Sequence, residues 1–216
     1  EIENLDHFIE HVAQLDRKGV IDWDHLSENI SYEADLSAFM IKFSDRINWT
    51  NLSSNATTKW DMKMILNFEE VLDFKELSRN PSIPFNDYLI AQYRDKWSWD
   101  LLSNNPSFPI KLETMREFEE NIDWVALGLN RSLECRTYSA WESEYIGEEE
   151  SDHMEICLAI LVRYRRKWKL TERSKSPGTV EKDSIGNNPS IDFDLLIAKW
   201  EEWGIYIDEN GEIVQK

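Results

Sequence analysis

The chain has 216 residues and a formal net charge of −18, from 24 Lys and Arg against 42 Asp and Glu. This charge argues against a nucleic-acid backbone or an anionic membrane surface as ligand, and it favours a basic partner. Ten tryptophans exclude a disordered acidic tail, and the two cysteines exclude a disulfide framework. We therefore predict a folded protein of a reducing, cytoplasmic compartment with no membrane span.

The first predicted element is an amphipathic helix that ends near Gly19. Its apolar residues recur at helical spacing and define one face. These residues are Leu5, Phe8, Ile9, Val12 and Leu15. We interpret residues 1–20 as an N-terminal capping helix that covers the first repeat of the segment behind it.

The same helix carries a short catalytic-looking motif, since His7, Glu10 and His11 match the H-x-x-E-H zinc pattern. Two histidines on one helix face could hold a metal with Glu10 as base. However, the apolar stripe lies on the opposite face, and the sequence supplies no well-placed third ligand. We predict that the three side chains face solvent and bind no metal.

From residue 21 the sequence contains five copies of a nine-residue motif. An aromatic anchor is followed by Leu three positions later and by Asn six positions later. The anchors Trp23, Trp49, Phe74, Trp99 and Trp124 are 26, 25, 25 and 25 residues apart. The leucines are Leu26, Leu52, Leu77, Leu102 and Leu127, and the asparagines are Asn29, Asn55, Asn80, Asn105 and Asn130. A fixed period of this length is typical of a stacked repeat array, whose anchor rings we expect to be buried between layers.

Each anchor is predicted to begin a helix of about two turns, helix A of its repeat. The residue before it is always a good N-cap: Asp22, Asn48, Asp73, Ser98 and Asp123. The recurring Asn suits the left-handed position that closes a helix, and we prefer this role to a ligand-binding ladder.

A second helix, helix B, is predicted to fill the rest of each period with about a dozen residues, roughly 34–45 in the first copy. Two apolar columns, nine and six residues before the next anchor, form its buried stripe. They contain Met40, Ile65, Ile90 and Met115, and Phe43, Phe68, Tyr93 and Phe118. Pro84 and Pro109 are assigned to its first turn. The predicted fold is mostly all-α, an αα-hairpin solenoid of about 25 residues per repeat over residues 21–145.

Beyond Asn130 the pattern fades. Tyr138, Trp141 and Tyr145 suggest one more helix, and a capping box at Asp152 and Glu155 opens a segment, 153–168, that is a helix or a buried strand. We group 146–186 as an acidic turn, this element and a basic linker. The basic residues within 163–175 either contact nucleic acid or pair with the acidic repeats, and we favour pairing.

The last segment, 187–216, begins with an echo of the repeat, because residues 188–193 resemble residues 80–85. We interpret it as a degenerate half-repeat. Two apolar runs around Asn210 and Gly211 then predict a small β-hairpin at the C-terminus.

The stretch Trp97–Pro106 resembles the tandem Trp-x-x-Leu-Ser-x-Asn-Pro repeats of uncharacterised proteins from large DNA viruses and bacteria. The resemblance covers residues 21–130 and 188–200. Phe74, Gly128 and the missing prolines after Asn29, Asn55 and Asn130 depart from it. It implies a repeat architecture and no activity.

No motif in the sequence assembles an active site. Cys135 and Cys157 have no neighbouring His and are interpreted as ordinary thiols. We therefore predict a non-enzymatic scaffold without cofactors, which binds a protein partner with a basic surface through acidic residues. The alternative is an inhibitor or immunity-type protein that imitates nucleic-acid charge and blocks a basic partner.

Overall fold

The computed structural model describes residues 5–31 and 35–133 and, further along the chain, residues 156, 157, 159–161, 163, 164, 167, 188, 191, 198, 201, 202, 204–207 and 213–215. The chain divides into two compact units, Glu1–Ser98 and Trp99–Lys216. The described residues are mostly helical, and successive helices pack in a regular sequential pattern. The predicted all-α helical repeat is confirmed.

The first unit contains seven described helices. They are α1 Leu5–Arg17, α2 Trp23–Asn29, α3 Ser37–Lys42, α4 Trp49–Ser54, α5 Met62–Asn67, α6 Phe74–Arg79 and α7 Asp87–Gln92. The second unit has the described helices α8 Trp99–Ser103, α9 Leu112–Glu117 and α10 Trp124–Leu129. Within each unit, helix A of one repeat packs on helix A of the next: α2 contacts α4 and α4 contacts α6 in the first unit, and α8 contacts α10 in the second.

Helix A forms where the sequence predicts, because a polar side chain caps its first turn. Asp22 and Asn48 each accept a hydrogen bond from the backbone N–H three residues later, and Asp73 and Asp123 accept two each. An N-cap of this kind typically stabilises a helix by about 1 kcal/mol. Five to seven residues are too few for an isolated helix in water, so packing must hold these helices in place.

Helix B is shorter than predicted, since α3, α5, α7 and α9 each have six residues. A turn follows each of them and is closed by a backbone hydrogen bond from residue i+4 to residue i, as from Ile47 to Phe43 at 3.0 Å. The assignment of the prolines was also wrong. Pro84 and Pro109 lie three residues before α7 and α9, in the preceding connection.

The core consists of columns that recur once per repeat. The column nine residues before each anchor is fully buried, and the leucines are buried from the second repeat onwards, whereas Leu26 is half-buried. The expectation of buried anchor rings holds for Phe74 only. Trp23, Trp49, Trp99 and Trp124 are half-buried. They lie at the edge of the core. The ring centres of Trp49 and Phe68 are 5.5 Å apart, and those of Trp99 and Phe118 are 5.7 Å apart.

The N-terminal helix α1 covers the first repeat, as predicted. Ile9 and Val12 on its apolar face are buried, and the Phe8 ring lies 5.5 Å from that of Phe39. Gly19 follows the helix with φ at +66°, a conformation that glycine adopts without a Cβ clash. The predicted end of the helix is confirmed.

The C-terminal region is described in part. Residues 156, 157, 159–161 and 163 are helical, which agrees with the helix alternative for 153–168. The proposed helix at Tyr138, Trp141 and Tyr145, the capping box and the linker lie outside the described residues. Strands β1 Ile205–Ile207 and β2 Ile213–Gln215 pair antiparallel, but the turn at Asn210 and Gly211 is outside them too, so the hairpin stays a prediction. In the described part of the chain, no helix has the length and apolarity needed to cross a bilayer.

Candidate functional site

The recurring asparagines form a buried ladder of hydrogen bonds between neighbouring repeats. The side-chain amide Nδ2 of Asn80 donates to the backbone oxygens of Ser53 at 2.8 Å and of Asn55 at 3.0 Å. Its Oδ1 accepts from the backbone N–H of Ser82 at 2.9 Å. Both amide protons and the amide oxygen of a side chain that is only 1% exposed are therefore satisfied by backbone groups.

The first rung of this ladder differs by one residue. Asn55 donates to the backbone oxygens of Ser27 at 3.2 Å and of Ile30 at 2.9 Å, not to that of Asn29. The first period has 26 residues, and its extra residue lengthens α2, which ends at Asn29. Ile30 therefore occupies the buried C-cap position, and Asn29 is exposed with its Nδ2 on the backbone oxygen of His25.

The ladder is also present in the second unit. Asn130 Nδ2 donates to the backbone oxygens of Ser103 at 2.9 Å and of Asn105 at 2.8 Å. Asn188 Nδ2 in turn donates to the backbone oxygens of Asn130 at 2.8 Å and of Leu133 at 3.3 Å. Asn188 thus shares one contact with the repeat asparagines, the bond to the backbone oxygen of the preceding column asparagine, although it follows Asn130 by 58 residues. Its second acceptor, Leu133, differs from theirs.

The prediction of left-handed asparagines was wrong. Asn55, Asn80 and Asn130 do end helix A, but with extended backbone, and the described residues contain no non-glycine residue with positive φ. Their side chains are fixed by the preceding repeat rather than by their own helix. The column is therefore a structural junction, and its amide groups are not free to bind a ligand.

A serine in the first four copies of helix A makes a second junction, which the sequence motif contained without showing its role. The Oγ of Ser53 accepts from the backbone N–H of Asp73 at 3.0 Å, and that of Ser78 from Ser98 at 2.9 Å. Ser78 Oγ also donates to the backbone oxygen of Phe74 at 2.7 Å. Gly128 stands at this position in the fifth repeat, which therefore lacks the hydroxyl.

Two of the anchor indoles donate hydrogen bonds to the turn that precedes them. Trp49 and Trp124 donate from Nε1 to the backbone oxygen five residues earlier, that of Ser44 and of Glu119, both at 3.1 Å. Phe74 has no such donor. In its repeat Lys96 Nζ donates to the corresponding oxygen of Glu69 at 3.3 Å and lies 4.9 Å from the Phe74 ring centre.

An open groove of 590 Å³ lies beside Phe74, lined by Thr50, Glu69, Val71, Leu72, Asp73, Phe74, Lys75 and Lys96. Its carboxylates already have partners within the protein. Tyr93 donates its hydroxyl to Glu69, and Asp73 caps α6 and accepts from Thr50. Burial, then the hydrogen bond to Glu69 and its charge, raise the pKa of Tyr93 well above its ordinary value.

One carboxylate per repeat is exposed at the same position, four residues before the next anchor, in the turn after helix B. We call these residues the acidic column. In the first unit they are Asp45, Glu70 and Asp95, and the corresponding turn of the second unit carries Glu120. The acidic column was not predicted from the sequence, where the apolar columns are more prominent, although the 25-residue period contains it.

Part of the basic segment pairs with acidic repeat residues, in agreement with the favoured prediction. Lys167 Nζ lies 3.3 Å from Glu119 Oε1 and 3.4 Å from Glu120 Oε1. Burial alone would lower the pKa of Lys167, but the hydrogen bonds and charges of the two carboxylates raise it. Arg163 is exposed.

The candidate metal ligands face solvent, as predicted. His7, Glu10 and His11 are all exposed on α1, and Glu10 pairs with Arg17 at 3.2 Å and Lys42 at 4.0 Å. Within the described residues no group of three or more His, Cys, Asp or Glu side chains is arranged to hold a metal ion. Cys157 is a buried thiol whose Sγ lies 3.8 Å from the backbone oxygen of Ser132, and Cys135 is outside the described residues.

No protein-family model matches the chain, and no curated protein and no solved structure matches it. The similarity to tandem Trp-x-x-Leu-Ser-x-Asn-Pro repeats stays a prediction. A function must therefore be argued from the junctions and from the exposed surface.

Proposed function

We propose that this protein is a non-enzymatic helical-repeat scaffold that binds a protein partner with a basic surface through the part of the acidic column that lies in its first unit. The observation that carries the proposal is the recurrence of one exposed carboxylate at the same turn position, at Asp45, Glu70, Asp95 and Glu120. Surface residues are free to vary in a repeat, yet the sign of the charge at this position does not change.

The Asn and Ser junctions between repeats favour a regular spacing of the carboxylates in this column. Packed helices lie about 8–10 Å apart, so consecutive carboxylates of the first unit are spaced by roughly that distance. Asn and Ser side chains fix each repeat on the last and hold the spacing. Residues 1–98 carry 10 Lys and Arg against 18 Asp and Glu, and this excess would steer a basic partner in a salt-dependent manner.

The contact of Lys167 with Glu119 and Glu120 supports the choice of partner. A Lys ammonium group is already accommodated at a turn of the acidic column, at distances typical of an ion pair. The polar groups that recur in every repeat, by contrast, are engaged in junction hydrogen bonds. This engagement favours a scaffold over an enzyme.

The test is a binding experiment with a decalysine peptide and with proteins captured from the native source. The triple variant Asp45→Asn, Glu70→Gln, Asp95→Asn should bind the peptide about tenfold more weakly at low salt, since each exposed ion pair contributes about 0.5 kcal/mol. A control with the same change in net charge replaces the exposed residues Asp6, Glu28 and Glu113 by their amides. Equal weakening by both variants would show that only net charge matters and would contradict the proposal.

The second candidate is an inhibitor that imitates nucleic-acid charge, and the acidic column favours it because such a protein needs carboxylates along one face. Against it, each DNA strand carries one phosphate per about 3.4 Å of helix axis, a denser array of charge than one carboxylate per about 8–10 Å between repeats. Competition decides between the two. An inhibitor displaces duplex DNA from its basic partner, whereas a scaffold binds that partner together with DNA.

A further inference from the structure

We infer that residues 131–188 complete one further repeat of the array and that this repeat is interrupted by two insertions. The ladder supplies the first observation, because Asn188 donates to the backbone oxygen of Asn130 just as Asn130 donates to that of Asn105. A regular repeat would place this asparagine 25 residues after Asn130, not 58.

The aromatic contacts supply the second observation. The anchors Trp49 and Trp99 each contact the ring of the residue 19 positions later, with interplanar angles of 31° and 38°. Trp124 makes this contact with Tyr164, 40 positions later, at 4.7 Å and 31°. Tyr164 therefore occupies the position of the helix B aromatic, but it lies 21 residues further along the chain than in a regular repeat.

The neighbours of Tyr164 fit the same assignment. Ile160 and Leu161 are fully buried, as Thr114 and Met115 are at the equivalent positions before Phe118. After the ring, the backbone N–H of Lys167 donates to the Tyr164 oxygen at 2.8 Å, as that of Lys96 donates to Tyr93 at 2.8 Å. The described residues between 156 and 167 thus correspond to helix B and its turn.

The sequence then locates the additional residues. The spacing of 58 residues exceeds a regular repeat of 25 by 33 residues. Because 21 of these precede helix B, the other 12 lie between its turn and Asn188. Residues 185–189, Ile-Gly-Asn-Asn-Pro, match residues 102–106, Leu-Ser-Asn-Asn-Pro, with Gly in place of Ser as at Gly128. The insertions are therefore assigned to residues 134–154 and 168–179, and their removal restores the spacing from Asn130 to Asn188 to 25 residues.

Such insertions are compatible with a stable array, because the entropy of closing a loop grows only slowly with its length.

The test replaces each insertion in the full chain by a Gly/Ser segment of equal length, and a further variant deletes both. The melting temperature of the replaced chains should stay within about 5 °C of the parent, and Asn188→Ala should lower it equally in parent and replaced chains. Replacement of residues 112–117, which form α9 of a regular repeat, is the control and should unfold its unit. If replacement of 134–154 unfolds the chain as the control does, or removes the effect of Asn188→Ala, the assignment is wrong.

Discussion

The side-chain amide of Asn80 donates a hydrogen bond of 3.0 Å to the backbone oxygen of Asn55, its counterpart one repeat earlier. A second bond from the same nitrogen reaches Ser53, so one buried side chain links two repeats through two backbone oxygens. Backbone groups at the end of a short helix would otherwise be buried without a partner, at a cost of about 1–3 kcal/mol each. The recurring asparagine is thus required by the short helices themselves.

The core columns predict a sharp contrast between two neighbours on α5. Ile65 is fully buried, whereas Leu66 is 38% exposed. We expect Ile65→Ala to lower the free energy of unfolding by about 2–5 kcal/mol, because it removes buried methyl groups and leaves a cavity. Leu66→Ala should cost less than about 1 kcal/mol. Urea denaturation of both variants measures the difference, and similar losses would contradict the assignment of the core face.

The contact of Lys96 with Glu69 predicts a coupling with the anchor of the third repeat. Lys96→Met should cost about 1 kcal/mol in the parent, since it removes a hydrogen bond and a cation–π contact. Phe74→Trp supplies an indole N–H for the Glu69 oxygen and has the open groove beside it. In that background Lys96→Met should cost less than half as much. A double-mutant cycle by urea denaturation tests this, and equal costs would show that Lys96 does not replace the indole.

The buried hydroxyl of Tyr93 predicts an alkaline dependence of stability. Burial and Glu69 raise the pKa of Tyr93 in the folded chain. The stabilisation by the neutral Tyr93 hydroxyl is fully present below the pKa of tyrosine in the unfolded chain, about 10. It is lost as the pH rises from there towards the higher pKa of the folded chain. The stability advantage of the parent over Tyr93→Phe should therefore shrink between pH 9 and 11, as measured by thermal unfolding. Tyr88→Phe, which removes an exposed hydroxyl, is the control. A constant advantage would refute the coupling.

The sequence predicts the repeat and its helix starts because both depend on local chemistry. The 25-residue period shows directly in the spacing of Trp49, Phe74, Trp99 and Trp124, and caps such as Asp73 act on N–H groups two or three residues away. The length of helix B was overestimated because apolar spacing continues through the turn that follows it. Phe43, for example, belongs to the apolar stripe but ends α3 as its C-cap.

The junctions could not be predicted from one repeat, because each involves two. Asn29 stands at the asparagine position of the sequence motif. Because α2 has one extra residue, however, Ile30 is the C-cap whose backbone oxygen accepts from Asn55. A lysine that replaces an indole N–H, as Lys96 does, has no signature in its own segment. The acidic column had a usable signal, since Asp45, Glu70, Asp95 and Glu120 share one register.

The most direct test of the ladder is the change in the free energy of unfolding, by urea denaturation, for Asn80→Ala compared with Asn29→Ala. Both residues stand at the same position of the sequence motif, but Asn80 is buried in the ladder and Asn29 is exposed. We predict a loss of about 2–4 kcal/mol for Asn80→Ala, because the backbone oxygens of Ser53 and Asn55 lose the amide donor and the N–H of Ser82 loses its acceptor, while Asn55 keeps the Trp60 indole at 3.4 Å. For Asn29→Ala we predict less than about 1 kcal/mol. Equal losses for the two variants would contradict this prediction.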